Sequence, residues 1–466
     1  MEKIFTLSKY SIITKLEAND NYMLVHGYTG AVDIVSKEVG KSLNTMKIFS
    51  KKNVPFSENT FDILVSRGYL TNKTQEQEQE YVTRMGNVMY KLNKVNDVYM
   101  FLVAYDCNFR CPYCFEETIA KKGNQWSRKV FTKDMVDKAY NAMNQIWSGR
   151  KQPTSSIILY GGEPLLASNK DIVSYIVNKG VDLGYKFDAI TNGYDLDHFE
   201  DMLGPNRIEK LQITIDGTKD RHNLTRIHYK ENNTYDKIIK NIEIALKNDT
   251  VVTIRVNTNR DNVGELTKLM KIFQEYHYTD NPKFSMYAAN LVDYNFGTEC
   301  TKNENCNLSS HFMSKAEFVR RQKSLDFKFG LQDRTLDNIL NAIKNKQKLK
   351  LSPIFCTAQS SMYIFDPFGE IYACWNTVGD KNEVIGNYQN KLELKNDNDI
   401  KWRGKSIVDN PVCVKCKYLF ICQGQCRYYS SQIESKFNKV YCTNYQEIFK
   451  IITNEIYNNN SSLKIC

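Results

Sequence analysis

Three cysteines fall within eight residues, Cys107, Cys111 and Cys114, in a C-x3-C-x2-C spacing with no fourth cysteine nearby. Thiols this close bind metal or oxidise to a disulfide. A structural zinc site wants four protein ligands in a closed tetrahedron, usually as two C-x2-C halves, and here it would be one short. A disulfide would leave one cysteine odd and needs an oxidising compartment. A [4Fe–4S] cluster normally takes one cysteine per iron, so three thiolates would hold it and leave one iron free for another ligand. The spacing favours the cluster, with zinc next.

Two further patterns bear on that free iron. Gly161-Gly162-Glu163-Pro164 follows the strand-like SSIILY. The glycines would let backbone approach a ligand without interference from Cβ, and Glu163 would supply a carboxylate for an ammonium group. An ordinary turn is the plain alternative. One strand beyond the cysteine loop, the tetrapeptide suits a free iron chelated by the amino and carboxylate groups of a methionine-type ligand. Near the C-terminus, Cys356 begins C-x12-G-x4-C, with Gly369 inside and Cys374 at its end. Cys413, Cys416, Cys422, Cys426 and Cys442 follow. A zinc-ribbon pair would use four of these seven, whereas two more iron–sulfur clusters account for them better.

These residues must be positioned by ordered elements. From about 97 to 310, strands such as VYMFLVAY, YKFDAITNG, KLQITIDG and VVTIRVNTN alternate with helical stretches such as YDKIIKNIEIALK, which predicts a parallel sheet with crossover helices. Polar residues and glycines gather where those strands end, the edge at which α/β barrels bind ligands. Residues 1–80 contain no cysteine. They read as short strands, YSIITKLE and NYMLVHGYTGAVDIV, then two helices capped by Ser36 and Ser57, a compact module like a winged helix. Such a module could bind a peptide by strand addition, with NYMLVHGY as the candidate unpaired strand. The charged stretch from Thr71 reads as a linker or exposed helix, with 81–96 taken as the linker, 311–350 as a bridging helical region, 351–450 as the cysteine-rich domain and 451–466 as a tail.

The 466-residue chain is 42% hydrophobic and 25% charged, which fits a globular protein of two or three domains. The N-terminus has no signal-peptide h-region and no run is apolar enough to span a membrane, so a reducing cytoplasm is expected. There the 13 cysteines are better metal ligands than disulfides. The net charge of +10 comes without a basic stripe or nucleic-acid motif, so no nucleic-acid partner is expected; an acidic peptide would suit it.

Taken together, Cys107, Cys111 and Cys114, GGEP, Thr191-Asn192-Gly193, Thr214-Ile215-Asp216-Gly217 and the stretch to Arg226 resemble the radical S-adenosylmethionine (radical SAM) enzymes. The resemblance implies a partial (β/α)6 TIM-like barrel in which S-adenosylmethionine (SAM) binds the unique iron. One electron then cleaves it to methionine and a 5′-deoxyadenosyl radical that takes a hydrogen atom from the substrate. It also implies an external electron donor such as flavodoxin or ferredoxin. Carried over by position, Tyr113 would contact adenine, Glu163 the methionine amino group, and Asn192, Thr214 and Arg226 the ribose or carboxylate. For the last three, buried polar groups satisfying backbone and a surface ion pair remain the plain alternatives.

The C-terminal pattern resembles the SPASM domain. By that resemblance Cys413, Cys416, Cys422 and Cys442 hold one auxiliary [4Fe–4S] cluster. Cys356, Cys374 and Cys426 hold another, one ligand short, making three clusters in all. Cys300, Cys306 or Cys466 could complete it, or its open iron could take a substrate thiolate. SPASM enzymes mostly modify peptides. The leading expectation is therefore a maturase that crosslinks a ribosomally made precursor, as a Cys thioether, with the leader held by the N-terminal module. An anaerobic sulfatase-maturating enzyme, which makes formylglycine, is the alternative, although Trp375 stands where those enzymes place an Asp. A non-catalytic iron–sulfur or zinc scaffold is the third. Asp366, Glu370, Tyr287 and His222 are candidate acid–base residues by type, each expected at the surface.

Overall fold

The computed structural model describes residues 3–95, 97–114, 124–147, 156–291, 312–323, 330–331, 335–394, 396–434, 442 and 445–458. Cys300, Cys306 and Cys466 lie outside the described residues.

The first module forms as its sequence pattern dictates. Strands β1 (Ser11–Lys15), β2 (Tyr22–His26) and β3 (Val32–Val35) make an antiparallel sheet, followed by helices α1 (Lys37–Thr45) and α2 (Glu58–Ser66). Ser36 Oγ accepts from Val39 N and Ser57 Oγ from Thr60 N, so both expected caps are made. The expected free strand is corrected, because NYMLVHGY contains β2, which pairs on both sides. Met23 and Val25 face one core and Leu24 another, so a strand apolar on both faces has become the buried middle. The edges are β1 and β3.

Of the linker and exposed-helix readings, a helix forms, but it is anchored along one face. Residues 81–93 are the second part of helix α3 (Gln75–Asn93), which starts in a capping box of Thr74 and Gln77. Its buried face, Val82, Gly86 and Tyr90, packs on the C-terminal region, where the Tyr90 hydroxyl lies 2.8 Å from Gln359 O and 2.5 Å from Arg403 O. A helix anchored along one face is a strut.

Six consecutive parallel strands follow: β4 (Val98–Leu102), β5 (Ile157–Tyr160), β6 (Phe187–Thr191), β7 (Ile208–Thr214), β8 (Val251–Thr258) and β9 (Phe284–Asn290). Helices α4 (Lys133–Trp147), α5 (Lys170–Asp182), α6 (Tyr235–Lys247) and α7 (Glu265–Glu275) pack on one face, burying Leu159, Ala189, Leu211, Ile254 and Val256. Strand alternation sends the intervening side chains to the inner face. There Met100, Leu102 and Tyr160 form an apolar wall, while Arg255, Asn257 and Tyr287 stay half-buried.

The cysteine-rich region does not stand apart from this barrel. Strand β10 (Met362–Phe365) pairs parallel with β4, and β11 (Glu370–Tyr372), β12 (Val384–Asn387) and β13 (Glu393–Leu394) continue antiparallel within one sheet. Residues 451–458, read as tail, belong to helix α9 (Tyr445–Asn458), which with helix α8 (Thr335–Lys344) packs against Ile12, Met23 and Val25 of the N-terminal sheet. The same sheet rests on the loop between Cys413 and Cys422. The Tyr10 hydroxyl donates to Val414 O at 2.6 Å, and a Cβ on Gly27 would fall 2.1 Å from Lys417 O. No helix among the described residues is long and apolar enough to cross a membrane.

Candidate active site at the strand-end mouth of the barrel

The chain leaves β4 through Val103–Asp106 straight into Cys107, and the residues after β5 run alongside. Gly162 N donates to Ala104 O at 3.0 Å and Glu163 N to Asp106 O at 2.8 Å. A Cβ on Gly161 would lie 2.3 Å from Ala104 O, and one on Gly162 would lie 2.4 Å from Asp106 O. The need for glycine is therefore set by this backbone-to-backbone approach, where the sequence suggested approach to a ligand. Pro164 is buried directly behind.

Glu163 is buried, and its carboxylate accepts from Thr191 Oγ1 (2.6 Å), Asn192 N (2.6 Å) and Leu165 N (2.9 Å). A carboxylate offers about four acceptor positions, so one remains for an ammonium. Burial pushes this carboxyl up to about 7, against the pull of those hydrogen bonds and of Arg226. A raised carboxyl is protonated more readily in the folded state, so ionising it costs stability as pH climbs from the ordinary 4.5 to about 7. Only the ionised form attracts an ammonium. SAM affinity, measured by equilibrium dialysis, is thus expected to rise with pH through about 7 and to lose that dependence in Glu163→Gln. An unchanged pH profile in the variant would remove Glu163 from this role.

Asn192 is spent on holding the cysteine loop. Its Oδ1 accepts from Tyr194 N at 2.8 Å, and its Nδ2 donates to Asn108 Oδ1 at 2.7 Å and lies 3.9 Å from Cys107 Sγ. Thr214 is buried at the end of β7, level with Arg255 on β8. Tyr113 donates its hydroxyl to Asp216, with Asn257 Nδ2 and Arg226 Nη1 each 3.4 Å from the same oxygen. Arg226 is no surface ion pair. It is half-buried with its guanidinium 5.3 Å from the Phe109 ring centroid, and although burial opposes its charge, Cys111, Tyr113 and Asp216 outweigh that.

Asp216 was passed over in the sequence. It is buried, and besides Tyr113 it accepts from Thr225 Oγ1 (3.2 Å) and Asn257 N (3.3 Å), which ties the cysteine loop to the ends of β7 and β8. The available signal was an acidic residue closing a strand in TIDG. Asp216→Ala frees the Tyr113 hydroxyl and is expected to raise the half-saturating SAM concentration about tenfold, as loss of a charge-assisted hydrogen bond does. A SAM titration of 5′-deoxyadenosine formation reads it.

The cysteines divide by neighbourhood. Burial and then Glu163 push the Cys107 thiol up, burial raises Cys111 against Arg226, and Cys114 is exposed. Cys413 is pushed up to about 12 by burial and then by Cys422, Cys416 and Cys442. Cys356 rises to about 11 through burial and Cys426, and Cys374 rises through burial, Cys356 and Cys426. Among the described residues no three Cys, His, Asp or Glu side chains close on one ion position. Cluster thiolates each bind a different iron and need no common point. All-thiol groups that repel one another as anions, sunk in apolar surroundings, fit a cationic iron–sulfur centre, which would hold them deprotonated.

The expected surface acid–base residues are corrected. Asp366, Glu370 and His222 are buried because each closes a local structure. Asp366 accepts from Tyr105 Oη, Phe368 N and Glu370 N at 2.8–3.0 Å, Glu370 from Tyr372 Oη at 2.6 Å, and His222 Nε2 meets Thr234 Oγ1 at 3.1 Å. Tyr287 is half-buried on the inner face, donating to Gln212 Oε1 at 2.8 Å.

The fold and its mouth define an enzyme of the parallel α/β barrel class, with a three-cysteine loop at the end of its first barrel strand. Residues 101–271 match the model of the Radical SAM superfamily, so this stretch of the chain is a radical SAM domain. The chain is 22% identical, over 93% of its length and 91% of the relative's, to the Radical SAM cyclopropyl synthase TigE of Paramaledivibacter caminithermalis. It is also 22% identical, over 77% of its length and 96% of the relative's, to a Cysteine-type anaerobic sulfatase-maturating enzyme of Clostridium perfringens. Among solved structures, native anSMEcpe with bound AdoMet superposes with a TM-score of 0.58 at 19% identity, covering 78% of this chain and 99% of that one, a likeness of fold.

Proposed function

We propose that the protein is a maturase that forms an intramolecular bond in a ribosomally made precursor peptide, its leader held by the N-terminal module and its core presented to the barrel mouth. The observation that carries this is an open sheet edge. Strand β3 pairs only with β2, so among the described residues no strand covers its other side. Beside that edge a groove opens against α2, lined by Asp33, Val35, Asn59, Thr60 and Ile63. An extended leader would add a strand to β3 and set an apolar side chain against Ile63. Ile63→Glu is expected to weaken leader binding at least tenfold while leaving peptide-independent SAM cleavage unchanged, read by fluorescence anisotropy and by 5′-deoxyadenosine. Unaltered anisotropy would dismiss the groove.

Cys107, Cys111 and Cys114 would hold a [4Fe–4S] cluster and Glu163 the methionine amino group, with Arg226, Thr214 and Tyr113 around the rest of SAM. Bound there, cluster and SAM supply a 5′-deoxyadenosyl radical for hydrogen abstraction. The chain's own part is to orient and enclose. Asp216 and Asn192 fix the cysteine loop. Tyr160, next to Gly161, faces Trp375, next to Cys374, with ring centroids 6.5 Å apart. That pair sets substrate between the cofactor site and the Cys356, Cys374 and Cys426 group, which would hold an auxiliary cluster able to accept the final electron. Cys413, Cys416, Cys422 and Cys442 would hold the other.

Formylglycine formation is the second reading, supported by the likeness to the Clostridium perfringens enzyme. The longer match to the cyclopropyl synthase, 93% of the chain against 77%, favours the first. Mass spectrometry of a precursor treated anaerobically with enzyme, SAM and dithionite separates them. Loss of two hydrogens alone marks bond formation, as a thioether or a carbon–carbon link, and loss of two hydrogens together with exchange of sulfur for oxygen marks formylglycine made from a Cys.

A further inference from the structure

Helix α3 has a second apolar face beside the one that anchors it. Gly86 fixes its rotation, because a Cβ there would fall 2.3 Å from Val408 Cγ1 and 3.2 Å from the Phe420 ring. Val82, Gly86 and Tyr90 therefore point inward. At about 100° per residue, Tyr81, Met85, Val88, Leu92 and Val95 then share the adjoining flank, with Val95 in the turn that closes the helix. Their spacing alternates four and three residues, the pattern by which two helices interlock their side chains. Met85 is half-buried, but Tyr81, Val88, Leu92 and Val95 are 43%, 59%, 62% and 53% exposed. Lone exposed apolar residues are ordinary, whereas a contiguous row over about four turns marks an interaction surface.

The charges beside the row have one sign. Arg84 and Lys91, both exposed, border its outer side, and the Lys73 ammonium lies 4.7 Å over the Tyr81 ring centroid at one end. The acids of α3 lie off this flank, Glu78 on the buried face and Glu76 and Glu80 farther round the helix. Glu80 meets Arg84 at 3.4 Å, but both side chains are largely exposed, so the pair is weak. Two copies of the chain packed antiparallel through this flank, with Val88 against Val88, would set Arg84 of one beside Lys91 of the other, a like-charge contact. The row calls for a partner of opposite charge.

We infer that this flank of α3 docks an amphipathic helix with an acidic border, supplied by another polypeptide. Its apolar seam covers Tyr81, Val88, Leu92 and Val95, and its carboxylates answer Arg84, Lys91 and Lys73. Tyr81 also lies against Tyr28 of the N-terminal module, ring centroids 5.3 Å apart, while the buried face of α3 meets Val408 and Phe420. The docked helix thus grips the strut where the module joins the thiol-rich region. Because α3 runs into β4 at the end opposite the cysteine loop, the docking site lies away from the barrel mouth.

The test uses the full-length, reconstituted protein and a fluorescein-labelled synthetic helix of about four heptads, with Leu at the a and d positions and Glu beside them. A twin with Lys in place of Glu is the control. Fluorescence anisotropy is expected to show saturable binding of the acidic helix, at least about tenfold tighter than its twin and weakened by salt. Leu92→Glu puts a like charge into the seam and is expected to weaken binding at least about tenfold. Arg84→Glu combined with Lys91→Glu is expected to reverse the preference between the twins. All three positions are exposed, so the melting midpoint and SAM cleavage are expected to stay as in the native protein. The preference is read on the native protein, so it stands even where a variant fails to fold. Equal affinity for the two helices, or binding untouched by Leu92→Glu in the folded variant, overturns the inference. A native dimer that Leu92→Glu dissociates on sedimentation overturns it in favour of a second copy. Flotation with anionic vesicles that Leu92→Glu abolishes overturns it in favour of a lipid surface.

Discussion

Replacing Cys107, Cys111 and Cys114 together by Ala is expected to abolish 5′-deoxyadenosine formation and to remove about a third of the iron, from about twelve atoms per chain to about eight. The structure explains why the loss should be confined. The three thiols lie on one loop leaving β4, whereas Cys356 and Cys374 flank the β10–β11 hairpin and Cys413, Cys416 and Cys422 occupy a loop under the N-terminal sheet. Among the described residues, the thiols that raise one another fall within these sets: Cys107 with Cys111, Cys374 with Cys356 and Cys426, and Cys413 with Cys422, Cys416 and Cys442. Iron and sulfide assays with a SAM-cleavage assay check it. Surviving 5′-deoxyadenosine would place the chemistry in another loop. Zinc without sulfide in the native protein would return the cysteines to the scaffold reading.

Deleting residues 1–80 is expected to damage the auxiliary-cluster region as well as peptide binding. Ile12, Met23 and Val25 are buried against Ile448, Phe449 and Ile452 of α9, and Tyr10 and Tyr28 against Val414, Leu419 and Phe420. Each large apolar side chain uncovered costs about 1.5–3 kcal/mol, so the sum approaches the roughly 5–15 kcal/mol by which whole domains are stable. Tyr10 would also leave Val414 O, between two candidate cluster ligands, without its donor. The truncated protein should lose iron from the Cys413, Cys416, Cys422 and Cys442 group and unfold at a lower temperature, seen by iron assay and calorimetry. A truncation with full iron and an unshifted midpoint would show that the module is only draped on the surface. Ile63→Glu is for this reason the cleaner probe of leader binding, since it changes the groove and leaves the buried seam alone.

Much of the site was legible in the chain because it rests on local spacing. Three cysteines in eight residues, the GGEP turn and the strand-ending TIDG each sit within one loop, and one loop's geometry follows from its own residue types. The caps at Ser36 and Ser57 and the alternation of the first five barrel strands were readable for the same reason, while β9 was not singled out. The misreadings concern partners both near and distant in sequence. NYMLVHGY looked like an edge because a strand's own alternation does not say how many neighbours pair with it, and β1 and β3, close by in sequence, take both sides. Residues 81–93 looked like a linker because their charges advertise the solvent face of α3 and hide Val82, Gly86 and Tyr90. Asp366, Glu370 and His222 looked exposed because buried polar groups are recognised by the hydrogen bonds they find, and residue type alone does not show that Phe368 N, Tyr372 and Thr234 turn back onto them or that Tyr105 arrives from the barrel.

The order of residues along the chain thus decided what chemistry is possible: an all-thiol loop ending the first strand of a parallel barrel, an acid at the next strand end, and a second thiol-rich region with seven cysteines. Folding in three dimensions decided what those parts are joined to. It made Asp216 the tie between the cysteine loop and two strands and seated the N-terminal sheet on the Cys413–Cys422 loop. Spacing constrains neighbours within a few residues, whereas burial and charge pairing are settled only when segments hundreds of residues apart come to exclude the same water.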